Sequence, residues 1–216
     1  LPRMLSFILV PIYTDVMAPG LYGEVSVIFA WFAIFNVLLA YGMETAFFRF
    51  YHHAADKEKV VSTSLISILI STLLFFSIAL LLQNQLSQFT DIDSKYINYT
   101  IYILALDALV IIPFSWLRAN EKPMYYALIK IANISTNLGL NIFFLLCLPK
   151  LAENDPDSIF TSIYKPDFQI SYIFISNLIA SGITLLLMLK LYLKTSYAFD
   201  KQVWRKMMKY ALPVLV

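Results

Sequence analysis

The stretch Tyr41–Tyr51, YGMETAFFRFY, closes an apolar run that begins near Leu21 and sets Glu44 and Arg49 at its end. A charge at the edge of such a run is costly in hydrocarbon unless it is paired, faces a wet cavity or snorkels to the headgroups. The stretch therefore marks a membrane surface, and the remaining chain is arranged about that surface. Arg49 reads as an interfacial anchor, whereas Glu44, on the last turn of the run, is a functional lead.

Composition supports this. Of 216 residues, 60% are hydrophobic, 16% aromatic and only 14% charged, with a mean hydropathy of +0.72, far more apolar than a soluble domain. An integral membrane protein is expected. The net charge of +2, with no basic stripe interleaved with aromatics, gives no argument for a nucleic-acid partner. The single cysteine, Cys147, lies within an apolar run, which excludes an internal disulfide and reads as a small residue facing lipid or core. The chain begins at Leu1 with an apolar helix rather than a signal peptide, and ends in KYALPVLV, too short to span a bilayer. It therefore reads as a fragment truncated at both ends.

Apolar runs of about 20 residues bounded by charges or turn residues predict an all-α, polytopic transmembrane bundle of six helices plus the start of a seventh. The predicted helices cover residues 1–17, 21–48, 60–83, 96–117, 124–148 and 168–193, with polar loops at 49–59, 84–95, 150–167 and 194–208. The short connection Arg118–Pro123 makes the fourth and fifth helices an antiparallel hairpin.

Assigning alternate connections to alternate sides places Arg49, Lys57, Lys59, Arg118, Lys122, Lys190, Lys194, Lys201, Arg205, Lys206 and Lys209 on one face. The other has only Lys95, Lys150 and Lys165, together with Asp15, Asp91, Asp93, Glu153, Asp155, Asp157 and Asp167. The cation bias makes the first face cytoplasmic, with the N-terminus, Glu44 and the hairpin tip inside.

Polar residues within the spans give the candidate site. Tyr126, Lys130, Asn133, Asn137 and Asn141 fall at spacings of four, three, four and four, one face of the fifth helix and a stripe about 22 Å long. Amides do not face hydrocarbon, so the stripe is either glue between helices or the wall of a wet cavity; Lys130 favours the cavity. Asp107 lies near mid-span on the neighbouring helix, satisfied by an adjacent helix or serving as a proton or ion site. Arg3 and Glu44 lie at similar depth, where they can pair, snorkel, or leave Arg3 to bind an anionic headgroup. Ser64, Ser67, Ser71, Ser176, Ser181 and Gly182 read as helix contact surfaces. His52–His53 reads as part of a solvated loop, with no spaced ligand set of a metal site. No nucleophile triad, phosphate-cradling glycine loop or carboxylate pair supports an enzyme.

The segments RMLSFILVPIYTDVMAPGLYGEVS, YGMETAFFRFY, WLRANEKPMYYALIKIANISTNLGLNIFFL and RKMMKYALPVLV, in that order, resemble the N-terminal half of bacterial polysaccharide flippases. These belong to the multidrug/oligosaccharidyl-lipid/polysaccharide exporter superfamily. The resemblance implies a bundle of about 14 helices in two lobes, this chain being the first lobe and the opening of the seventh helix. It further implies a multi-pass protein of the bacterial cytoplasmic (inner) membrane. Its activity would be flipping of undecaprenyl-pyrophosphate-linked oligosaccharide to the outer leaflet by alternating access, alongside other polysaccharide assembly proteins. No cofactor is implied, though a proton or sodium gradient is a candidate for coupling. The resemblance also implies that Arg3 takes the place of a cavity arginine of related flippases, that Lys130 is a second cavity cation by position, and that Glu44 follows the family's Gly-x-Glu pattern at Gly42. With only half of the cavity in the chain, the full complement of cations is open.

Three rival readings are weighed beside it. A cation-coupled drug exporter of the same superfamily would use Asp107; the helix 2 motif and an excess of cationic groove candidates stand against it. A membrane glycan polymerase or ligase would need a functional outer loop, and 150–167 is acidic without an arginine. A non-transporting interaction protein would bury the stripe entirely and have no cavity.

Overall fold

The computed structural model describes residues 2–154 and 159–215, so Asp155 and Asp157 lie outside the described residues. It is an all-α bundle in which five helical stretches are long and apolar enough to cross a membrane. These are Pro19–His53, Lys57–Leu81, Ser94–Ala119, Pro123–Asn154 and Pro166–Lys194.

The predicted first helix is α1, Pro2–Val16. Pro19 starts α2, Pro19–Ala40, where a missing N–H costs nothing. The second predicted helix is not continuous. Tyr41 and Gly42 take φ of 33° and 69°, ending α2 and starting α3, Met43–His53. Only Ala54–Asp56 then separates α3 from α4, Lys57–Leu81, whose N-cap Asp56 accepts from the Lys59 amide at 3.2 Å. The expected loop at 84–95 is largely α5, Gln83–Thr90, and α6 follows at Ser94–Leu109, capped by Asp93.

The fourth predicted helix also breaks, between α6 and α7, Ile111–Ala119. The cause is Pro113, which has no N–H for the Leu109 carbonyl four residues earlier. The Tyr192 hydroxyl donates to that carbonyl instead, at 2.5 Å. A tight turn through Glu121, φ 54°, joins α7 to α8, Pro123–Ile142, giving the expected hairpin. The Tyr51 hydroxyl of α3 donates to Asn120 Oδ1 at 3.0 Å and pins the hairpin tip.

A π-helical turn at Phe143–Cys147 leads into α9, Leu148–Asn154. The expected loop at 150–167 thus starts helical, and it also holds α10, Ile159–Ile163, and a 3₁₀ turn at Pro166–Phe168. The longest element, α11, runs Gln169–Lys194, and α12 runs Lys201–Leu215. The expected loop at 194–208 is therefore half helix. Its polar residues occupy the outer face of an amphipathic helix, a pattern that charge density alone does not separate from a loop.

The centre of the bundle is α11 lying along α8 and α6, with α4 on α6, and with α3 held among α4, α7 and α12. One apolar cluster, including Tyr13, Ile28, Leu145, Leu148, Ile173 and Phe174, ties α1, α2, α8–α9 and α11. A second, including Met43, Phe47, Leu65, Ile112, Met207 and Ala211, ties α3, α4, α7 and α12. On the outside, Val27, Ile34, Val37 and Leu38 of α2 and Ile70, Leu73, Leu74 and Leu81 of α4 are exposed. Such surfaces are stable when hydrocarbon is the solvent. Cys147 is also exposed.

The segment before α12 is strapped to α4: Ser62 Oγ donates to the Ala198 carbonyl at 3.0 Å, and Thr63 Oγ1 accepts from the Asp200 amide at 3.1 Å. Asp200 Oδ1 then accepts from the amides of Gln202 and Val203 at 2.8 and 3.1 Å, capping α12. These bonds, aided by Lys59 and Lys206, hold its carboxyl below the usual carboxylate range. A depressed folded value means stabilisation that is present above the unfolded value and lost as pH falls through the folded one. Acidification below the ordinary carboxylate range should therefore loosen α12. Fluorescence of Trp204, whose indole N–H donates to Ser67 Oγ at 3.0 Å, should report this in a protein lacking Trp31 and Trp116. An Asp200→Ala variant should show no such acid transition.

Candidate functional site

Six helices deliver polar side chains to one cavity of about 290 Å³. The face of α8 gives Tyr126, Lys130 and Asn133; α11 gives Asn177, Ser181 and Thr184 at spacings of four and three, also one face. Asp107 comes from α6, Phe114 and Arg118 from α7, Glu44 from α3 and Asn36 from α2. Along α11 this polar patch is flanked by the buried apolar residues Phe174 and Met188. Its groups thus sit within the span.

Each charge has a defined neighbour. Glu44, in the first turn of α3 where an acid complements the helix dipole, forms an ion pair with Arg118 Nη2. Arg118 also lies over the Tyr126 ring, 5.8 Å from its centroid. Asp107 Oδ1 accepts from the Ser181 hydroxyl at 2.7 Å. Lys130 Nζ sits 4.2 Å from the centroid of Phe114, a cation–π contact. No ion pair of Lys130 occurs among the described residues; its charge rests on the ring and faces the cavity within electrostatic reach of Asp107 and Glu44.

A second, larger cavity of about 620 Å³, mostly apolar with Tyr13, Tyr22 and Ser26, shares Asn133, Asn177 and the neighbouring Asn137 with the α8–α11 seam. The Asn133 amide donates to Thr184 Oγ1 at 2.9 Å and that of Asn137 to Asn177 Oδ1 at 3.3 Å. A polar seam thus separates a charged chamber from an apolar one.

Of the residues expected at the site, Glu44, Asp107, Tyr126, Lys130 and Asn133 meet in the charged cavity, and Asn137 lines the apolar one. Asn141 lines neither. It is fully buried; its Oδ1 accepts from the Tyr13 hydroxyl at 2.9 Å, and its amide donates to Asn137 Oδ1 at 2.7 Å. Cavity and glue are therefore both realised, at opposite ends of one stripe. Tyr13→Phe should leave the Asn141 oxygen buried without a donor and destabilise the α1–α8 contact by about 1–3 kcal/mol, measurable as a lowered unfolding temperature in detergent. Arg3 falls on α1, but its side chain lies outside the described residues.

Arg118 was expected only as a cation of the hairpin tip, yet it is the partner of Glu44. The cavity holds two acids and two cations, so the expected cationic excess does not hold among the described residues. Ser181 was expected to be a packing residue, but it binds Asp107, while Ser176 is fully buried and donates to the Tyr172 carbonyl one turn back on α11 at 2.7 Å. The spacing of Asn177, Ser181 and Thr184 was the sequence signal for this wall.

Fold and site together define a polytopic helical membrane protein with a charged cavity inside the span. The model of the family described as polysaccharide biosynthesis protein matches residues 1–216, and the chain belongs to that family. No curated protein and no solved structure gave a match.

Proposed function

We propose that the chain is the first lobe of a two-lobe transporter that flips undecaprenyl-pyrophosphate-linked oligosaccharide across the bacterial inner membrane by alternating access. The observation that carries this reading is the cavity of Glu44, Asp107, Arg118 and Lys130 inside a bundle whose outer surface is apolar. A flippase must give a large polar headgroup a wet path and its phosphates a cation, while the polyprenyl tail stays against apolar walls. Flipping makes no covalent bond, so no nucleophile is required. Lys130, without a carboxylate partner, is the phosphate contact in this reading, and the amides of Asn133 and Asn177 face sugar hydroxyls. In this reading the Arg118 end of the cavity faces the cytoplasm, a placement the Lys/Arg bias supports.

One observation favours a second reading, a gradient-coupled exporter of cationic compounds: Asp107 presents a carboxylate to the cavity with one oxygen held by Ser181. Deleting the full-length gene separates the two. The flippase reading expects lipid-linked oligosaccharide to accumulate on the inner leaflet and surface polysaccharide to vanish, with drug susceptibility unchanged. Normal surface polysaccharide with new sensitivity to cationic drugs would overturn it in favour of export.

A further inference from the structure

A second polar pocket lies outside the span, where α3 ends and α4 begins. It has a volume of about 360 Å³, with His53, Asp56, Lys59 and Lys206 at its rim and Val60 and Val203 in its wall. Its position follows from the helices: His53 ends one membrane-crossing stretch and Lys57 begins the next, so the pocket sits at headgroup depth. The wall is apolar and the rim cationic, as the junction of glycerol and phosphate in a phospholipid demands.

The rim cations are only loosely paired. Lys59 Nζ lies 3.7 Å from Asp56 Oδ2 with both side chains about half exposed, a geometry that contributes little. No ion pair of Lys206 occurs among the described residues. Asp200 uses Oδ1 to cap α12 through two backbone amides, and its carboxylate acts through space on both Lys59 and Lys206 without a salt bridge to either. His53 donates from Nδ1 to the Arg49 carbonyl at 2.8 Å, which leaves Nε2 for a second bond.

The neighbouring surface extends the same chemistry. Met207 and Ala211 of α12 are fully buried against the bundle, while Lys201, Arg205, Lys206 and Lys209 are all exposed. A helix with one face docked and a row of cations on the other, lying at a membrane edge, matches a sheet of anionic headgroups. A soluble anion would need the pocket alone.

We infer that the pocket between α3, α4 and α12 is a binding site for the phosphate headgroup of an anionic phospholipid from the surrounding bilayer. The lipid holds α12 to the α3–α4 turn by bridging Lys59 and Lys206. The site is independent of the transported substrate.

Native mass spectrometry of the full-length protein, incubated with equal amounts of phosphatidylglycerol and phosphatidylcholine, tests this. Wild-type protein should retain phosphatidylglycerol several-fold over phosphatidylcholine, and a Lys59→Gln/Lys206→Gln protein should retain the two equally. A Lys150→Gln/Lys165→Gln control should behave as wild type. In a second measurement, which needs no variant, phosphatidylglycerol vesicles should raise the unfolding temperature of wild-type protein, and an increase of about tenfold in salt should diminish the rise. Equal retention by wild type, or undiminished preference in the Lys59→Gln/Lys206→Gln protein, would overturn the inference. An equal thermal rise with inorganic phosphate would also overturn it, by assigning the pocket to a free anion.

Discussion

A Lys130→Ala variant of the full-length protein should insert and fold normally yet export surface polysaccharide at a rate reduced by about tenfold or more. The reduction follows from how Lys130 is held. Its ammonium rests on the Phe114 ring at 4.2 Å and makes no ion pair, while Asp107 and Glu44 act on it through space only. When Lys130 is removed Glu44 keeps Arg118 and Asp107 keeps Ser181, so stability should change little. What is lost is a charge-assisted contact to substrate phosphate, worth about 1.5–3 kcal/mol, or roughly one to two orders of magnitude in rate when made chiefly in the moving state. Arg118 cannot substitute, because Glu44 already occupies it. Surface polysaccharide measured against membrane protein abundance gives the rate. Wild-type export at equal abundance would remove Lys130 from the mechanism.

The other large effect is structural. A Gly42→Val substitution should destabilise the bundle by about 2–4 kcal/mol, read as a lowered unfolding temperature in detergent. Two independent penalties combine. Gly42 has φ of 69°, a conformation that a β-branched residue adopts only at a cost. A Cβ at this position would also overlap the Ala211 carbonyl oxygen, part of the α12 backbone, which has no rotamer through which to escape. Because Gly42 lies two residues before Glu44, the same variant should weaken the Glu44–Arg118 pair and lower export beyond its effect on abundance. An unchanged unfolding temperature would show that α12 does not rest on this turn.

What the sequence made legible was whatever depends on local pattern. The apolar runs located the spans, the short Arg118–Pro123 connection determined the hairpin, and the heptad-like spacing on α8 collected Tyr126, Lys130 and Asn133 on one wall. Features that depend on a distant partner were not legible. Gly42 within an apolar run did not reveal a break, because the close packing that a side chain here would obstruct comes from Ala211 of α12, about 170 residues later. Arg118 looked like a topogenic cation because its partner lies on α3, and Asn141 looked like its cavity-lining neighbours because only the fold brings Tyr13 against it. Helix and polar loop were confused at α5 and α12 for a further reason. A short amphipathic helix at a membrane edge carries the same charge density as a loop, and only its docked face distinguishes it.

The kink at Pro113 has a mechanical consequence. In a straight helix Asp107 and Arg118, eleven residues apart, would share one face at about 16 Å separation, fixed by the helix rise. Here they stand on two rods joined at Val110, and the joint is latched by one hydroxyl, that of Tyr192 on the Leu109 carbonyl. The spacing between the two charges thus depends on the break at Val110 as well as on the helix rise. The break lies in the wall of the charged cavity, where Val110 stands between the acid on one rod and the cation on the other.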